Sequence, residues 1–178
     1  MPVNAPGQAP DLPALPVGEL LRRYGLHPDK RLGQNFLIDP AALARVVEAA
    51  SIEPSEAVLE IGPGLGSLTR YLCRQARRVV AVELDEKLIP PLKEALSACS
   101  NVTLVQGDIL KLNPASLMVE PDGTARYVVA ANIPYYITSA LLRHLLESTA
   151  PPQRMILTVQ REVAERICAE PGEMSLLA

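Results

Sequence analysis

The sequence predicts an α/β fold on a mostly parallel sheet. From Ala57 onward, short apolar runs alternate with helix-like segments, and a glycine-rich turn follows the first run. Strands that alternate with helices imply parallel pairing through right-handed crossovers. At 178 residues the chain is expected to form one domain.

The elements are read in order. Residues 1–16 hold Pro2, Pro6, Pro10, Pro13 and Pro16 and are expected to be a disordered tail. Residues 17–178 are then the folded domain. A short helix is expected from Gly18 to Tyr24. Asp39-Pro40 starts the next, with Asp39 as its cap and Pro40 in the first helical position. Leu43, Val46, Val47 and Ala50 recur at helical spacing and give that helix one buried face. Ala57–Ile61 reads as the first strand and Ser67–Ala76 as a helix. Val79–Glu83 is the second strand. Glu86–Ala98 should be helical, with a late start or a kink because Pro90 and Pro91 disrupt its early turns. Val102–Gln106 is the third strand. Tyr127–Ala131 is the fourth, after a Pro121-Asp122-Gly123 turn. Ser139–Ser148 is a helix, Met155–Gln160 the fifth strand and Glu162–Ala169 a further helix.

Apolar residues make up 48% and charged residues 21%, with a net charge of −3. That balance suits a soluble domain and argues against a dedicated nucleic-acid binder, which usually carries a basic excess. Two local basic runs stand out: Arg22, Arg23, Lys30 and Arg31, and Arg70, Arg74, Arg77 and Arg78. Either could be a solvated helix face or an RNA contact. Cys73, Cys99 and Cys168 lack metal or disulfide-framework spacing, so buried free thiols in a reducing cytosol are expected. No apolar run is long enough to span a membrane, and no secretory leader is visible. The expectation is a cytoplasmic monomer with no membrane and no metal.

Four motifs carry chemistry. Glu60-x-Gly62-x-Gly64-x-Gly66 follows the first strand; a turn this tight, with a ligand close to its backbone, needs residues without side chains. Glu83 ends the second strand about 20 residues later, where an acidic residue can accept from both hydroxyls of a ribose. Its neighbour Asp85 suits a helix cap. After the third strand, Asp108 could accept from the exocyclic amine of an adenine ring, with Ile109 against the ring face. The competing idea for Asp108 is a turn former.

The fourth motif, Asn132-Ile133-Pro134-Tyr135, leaves the fourth strand. An exocyclic base amine is a poor nucleophile because its lone pair is conjugated into the ring. Acceptors on its two N–H bonds turn that lone pair toward a methyl donor. Asn132 Oδ1 and a main-chain carbonyl near Ile133–Pro134 suit this, with proline fixing the chain. Tyr135 can stack on the base, a contact worth about 1–3 kcal/mol. His27 and His144 are not needed, since the proton can leave after the nitrogen becomes cationic. His144 reads as a surface or packing residue.

With these motifs in register, the chain from about Tyr24 to Ala178 resembles the KsgA-type family of ribosomal small-subunit RNA adenine dimethyltransferases. The resemblance also rests on Leu32-Gly33-Gln34-Asn35-Phe36-Leu37, Gly107-Asp108, the continuation Tyr136-Ile137-Thr138-Ser139, and Gln160-Arg161-Glu162-Val163-Ala164-Glu165-Arg166. It implies a Rossmann-like, S-adenosylmethionine-dependent methyltransferase fold. It implies that Asn35, Leu37, Gly62, Glu83, Asp108 and Asn132 contact the cofactor, with Gly64 and Ile109 beside them. Asn132, Ile133, Pro134 and Tyr135 would then form the catalytic set that grips the target adenine. The implied reaction is N6,N6-dimethylation of two adjacent adenosines near the 3′ end of small-subunit (16S) ribosomal RNA, without metal, in ribosome biogenesis.

The family closes its sheet with two more strands and adds a helical RNA-binding domain. Both are expected to be missing here, as is a later aromatic that would sandwich the target base. The apolar ending Ser175–Ala178 reads as the beginning of another element. Two alternatives remain: a large-subunit RNA adenine methyltransferase of the macrolide-resistance type, which shares the fourth motif, and a non-catalytic ribosome assembly factor.

Overall fold

The computed structural model describes residues 12–29, 33–133 and 135–169. Five strands form one sheet: β1 (Ala57–Ile61), β2 (Arg78–Glu83), β3 (Val102–Gln106), β4 (Tyr127–Asn132) and β5 (Arg154–Thr158). The order is β3-β2-β1-β4-β5, and every pairing is parallel. The chain therefore winds from β1 to one edge and returns to the other side of β1. The crevice between β1 and β4 is a topological switch point, where α/β sheets hold ligands at the carboxyl ends of their strands.

Seven α-helices connect and cover these strands among the described residues: α1 (Val17–Arg23), α2 (Pro40–Ala50), α3 (Thr69–Gln75), α4 (Ile89–Ala95), α5 (Pro114–Met118), α6 (Thr138–Leu146) and α7 (Arg161–Ile167). Asp39 caps α2 by accepting from the Ala41 N–H at 3.0 Å, with Pro40 at the first position. The segment after β2 makes a 3-10 turn at Glu86–Leu88 and becomes α-helical only at Ile89. The two prolines thus give the late start. Asp85 caps that turn through the Lys87 N–H.

Strand residues alternate between two cores. Ala57, Leu59, Ile61, Val80, Val82, Tyr127 and Val129 pack with Met118 of α5 and with Leu141 and Leu145 of α6. Val58, Val79 and Ala130 pack on the other face against Leu43, Val47 and Ala50 of α2 and Leu72 of α3. Central strands covered on both faces read as continuous apolar runs, which is why β1, β2 and β4 were legible.

Four details differ from the sequence reading. First, α5 lies in a stretch read as carrying only a turn. Asn113 caps it by accepting from the Ala115 N–H at 3.0 Å, and Pro114 opens it. Second, the tail read as disordered holds on to the domain at its end: Leu12 is buried against the α2–α3 core, and the Pro13 carbonyl accepts from Arg70 Nη1 at 3.0 Å. Third, Cys73 and Cys99 form a disulfide rather than free thiols, with Cα atoms 6.0 Å apart. The loop after α4 comes back beside the end of α3, where Asn101 Nδ2 donates to the Cys73 carbonyl at 3.0 Å. Fourth, Cys168 is free but exposed, not buried. Residues 1–11 lie outside the described residues. Among the described residues, no helix is long and apolar enough to cross a membrane.

Candidate active site

A cleft of about 260 Å³ opens at the carboxyl ends of the strands. Each strand from β1 to β4 sends residues into it: Ile61 to Gly64 after β1, Glu83 and Leu84 from β2, Gly107 to Ile109 after β3, and Asn132 and Ile133 from β4. The loop Gly33–Leu37 closes the remaining side. Asn35, Leu37, Gly62, Gly64, Glu83, Asp108, Ile109, Asn132 and Ile133 are thereby brought to one cleft. Pro134 lies outside the described residues. Tyr135 opens a 3-10 turn, Tyr135–Ile137, and is described through its backbone. The next residue, Tyr136, lines the cleft and is 52% exposed.

The three glycines after β1 all take left-handed backbone, with φ of 68° at Gly62, 59° at Gly64 and 86° at Gly66. A Cβ on Gly64 would lie 3.0 Å from the Phe36 ring, and one on Gly66 2.9 Å from Leu92 Cδ1. A Cβ on Gly62 would meet nothing within 4 Å. Gly64 thus seats the N-terminal loop, Gly66 seats α4, and Gly62 exposes main chain to the cleft.

Glu83 is only 6% exposed. Its Oε2 accepts from the Gly64 N–H and its Oε1 from the Asp85 N–H, each at 2.9 Å. Burial raises its pKa, against the pull of those two bonds. Each oxygen keeps a further lone pair for a hydroxyl donor. Asp108 Oδ1 accepts from the Leu110 N–H at 3.1 Å, and Lys111 Nζ lies 3.6 Å from Oδ2. Asp108 is therefore a turn former that also faces the cleft; the two readings are compatible. Asn132 Nδ2 donates to the Asn35 carbonyl at 3.0 Å.

Sequence reasoning passed over three residues that shape the cleft. Gln34 Nε2 donates to Asp85 Oδ2 at 2.8 Å, and its Oε1 accepts from the Asp29 N–H at 2.8 Å. It bolts the N-terminal loop to the end of β2. Phe36 fills the space that Gly64 leaves. Glu60, the first residue of the glycine motif, is buried in the cleft wall. Gln34 and Phe36 stand beside Asn35 in one motif, but nothing local signals their partners.

One residue of the first basic run and three of the second are engaged in structure, Arg70 through the Pro13 carbonyl. Arg23 pairs with Glu19 and Glu94, and Arg77 and Arg78 with Glu120. His144 Nε2 lies 2.8 Å from the Leu112 carbonyl, a packing role. Lys30 and Arg31 lie outside the described residues.

The family model described as Ribosomal RNA adenine dimethylase matches residues 26–177. The Ribosomal RNA small subunit methyltransferase A of Dehalococcoides mccartyi is 42% identical over 179 residues, covering 99% of this chain and 60% of that protein. Among solved structures, a dimethyladenosine transferase from Plasmodium falciparum matches with a TM-score of 0.64 at 33% identity, over 76% of this chain and 47% of that one. The 23S rRNA methyltransferase ErmE matches with a TM-score of 0.63 at 37% identity, over 74% and 50%. The chain spans between 52% and 60% of the length of the first curated relatives.

Proposed function

The chain belongs to the ribosomal RNA adenine dimethylase family, and on that premise we propose that it dimethylates N6 of two adjacent adenosines near the 3′ end of small-subunit ribosomal RNA. The observation that carries this reading is the convergence of Gly62, Glu83, Asp108 and Asn132, from four adjacent strands, on one cleft. The donor would be S-adenosylmethionine, the partner the small ribosomal subunit, and the working form a monomer. Cytoplasmic location follows from that partner; the Cys73–Cys99 bond removes the argument from free thiols.

The cleft fits an adenosyl sulfonium. Its charged lining residues are the carboxyls Glu60, Glu83 and Asp108, with no lysine, arginine or histidine among the described lining residues. Bound there, S-adenosylmethionine supplies a methyl group activated on a sulfonium. Glu83 would accept the ribose hydroxyls through its unused lone pairs. Asp108 would accept from the adenine amine, with Ile109 against the ring. Gly62 would let ligand approach the main chain, and Asn35 and Leu37 would contact it.

Asn132 Oδ1 and a main-chain carbonyl near Ile133–Pro134 would accept the two N–H bonds of the target amine. Tyr135 stacks on the base. No side-chain base is required. Catalysis is mostly positioning, which can replace several kcal/mol of orientational entropy. The target base must leave its stack, at a cost of a few kcal/mol.

The likeness to ErmE supports a second reading, methylation of large-subunit RNA. The 42% identity to a small-subunit enzyme over nearly the whole chain favours the first. Equilibrium dialysis with radiolabelled S-adenosylmethionine tests the cofactor. Saturable binding is expected; a folded protein that binds none would point to a non-catalytic assembly factor.

A further inference from the structure

Glu60 is the cleft carboxyl without an assigned task. It is 1% exposed yet lines the cleft. Its neighbours in register are Ala81 on β2 and Ala130 on β4, neither of which offers a polar group. Thr69 on α3 is buried too, and its hydroxyl likewise has no hydrogen-bond partner among the described residues; the charged group that acts on Glu60 is Glu83, two residues beyond Ala81 on the same face of β2. Glu60 Oε2 has no hydrogen-bond partner among the described residues.

A buried carboxylate without a partner is costly, so the group stays neutral until a countercharge arrives. Burial pushes the Glu60 pKa up to about 8, and the Glu83 charge adds to it. A hydrophobic residue at this position would avoid the cost. A carboxyl here is explained by a ligand that brings positive charge into a cleft whose described lining residues supply none.

We propose that Glu60 is the counter-ion for a cationic group of the ligand, the α-ammonium or the sulfonium of the methyl donor, and that it ionises as that group enters. This inference rests on the assignment of the cleft to that donor. Its consequence is proton-linked binding. In ligand-free protein below about pH 8, Glu60 holds a proton, and a cationic ligand expels it. Affinity for such ligands then rises with pH, by up to about tenfold per unit, and levels off near pH 8.

Isothermal titration calorimetry at pH 6.5, in two buffers of different ionisation enthalpy, counts the protons released. Three ligands separate the sources of charge: S-adenosylmethionine carries both cations, S-adenosylhomocysteine only the ammonium, and 5′-methylthioadenosine neither. Each ligand's own amine titration is subtracted. For the charged ligands, wild type should release about one proton more than Glu60→Gln. For 5′-methylthioadenosine the two proteins should agree. A difference with S-adenosylmethionine alone assigns the sulfonium; a difference with both assigns the ammonium. Glu60→Gln should also flatten the pH profile of S-adenosylmethionine affinity. Equal proton counts and parallel profiles in the two proteins overturn the inference while leaving the cofactor site intact. Should the variant fail to fold, equal counts for neutral and charged ligands in wild type overturn it. Absence of binding by all three ligands overturns the cofactor assignment and the inference with it.

Discussion

The side-chain amide of Asn132 donates to the main-chain carbonyl of Asn35 at 3.0 Å, joining positions 97 residues apart. The bond engages the amino end of the amide and leaves Oδ1 as the end for a target amine. It also ties the loop Gly33–Leu37 to the end of β4. Asn132→Ala in the full-length protein should therefore lower single-turnover methylation by about 100-fold or more, as loss of one preorganised polar group does elsewhere. Tyr135→Ala should lose about 1–3 kcal/mol of base stacking and keep its affinity for S-adenosylmethionine. Unchanged methylation by both variants would remove the basis for the proposed catalytic set.

Gly62 and Gly66 share left-handed backbone but differ in surroundings, so their alanine variants should separate. At Gly66 the new Cβ meets Leu92 Cδ1 at 2.9 Å. Gly66→Ala should lose about 2–4 kcal/mol, combining the cost of the φ of 86° with overpacking against α4. At Gly62 the Cβ enters open space, and the strain alone costs about 1–2 kcal/mol. Gly62→Ala should fold and bind S-adenosylmethionine poorly. Urea unfolding and dialysis on both variants check this; equal stability of the two would contradict the packing account.

The Cys73–Cys99 bond closes a separation of 26 residues between the end of α3 and the loop after α4. These helices follow the glycine loop and Glu83 respectively. Removing a crosslink of this span should lower stability by about 3 kcal/mol. Denaturant unfolding with and without dithiothreitol reads it directly, with Cys99→Ser as the permanent equivalent. Superimposable curves would mean that the bond contributes nothing to folding.

The element types were largely legible because β1, β2 and β4 are buried on both faces and Asp39-Pro40 announces α2. Helix α5 was missed: Asn113-Pro114 carries the same capping chemistry as Asp39-Pro40, but its five residues are too short to show a periodic face. The Cys73–Cys99 pair was not, because it depends on how α3 and α4 lie against each other. Of the site, the strand-end residues Glu83, Asp108 and Asn132 follow from spacing. Gln34 and Phe36 act through long-range partners, Asp85 and Gly64, which no local pattern reveals.

At the other end of the sheet, Arg154 on β5 grips Glu56 with both terminal nitrogens, at 2.8 and 2.7 Å, and donates to the Ala50 and Ser51 carbonyls. Burial opposes ionisation of Glu56, but Arg154 and the Glu53 N–H outweigh it and hold the pKa below the usual carboxylate range. A lowered folded-state pKa contributes stability above the usual range, and that contribution is lost as pH falls through the lowered value. Arg154→Met should cost about 2 kcal/mol at neutral pH and less in acid. Glu60 has the opposite sign: its raised pKa costs stability as pH rises from about 5 to 8, so Glu60→Gln should gain on wild type over that range. Thermal melts across pH 3–9 check both slopes, and parallel melting profiles for either variant and wild type would contradict its assignment.

The central claim is tested most directly by incubating the full-length protein with unmethylated small ribosomal subunits and S-adenosylmethionine, then mapping the RNA by primer extension and nucleoside mass spectrometry. Two adjacent N6,N6-dimethyladenosines near the 3′ end of the small-subunit RNA, absent with Asn132→Ala, are the expected result. Methylation confined to large-subunit RNA, or none on either subunit by a protein that binds the donor, would contradict it.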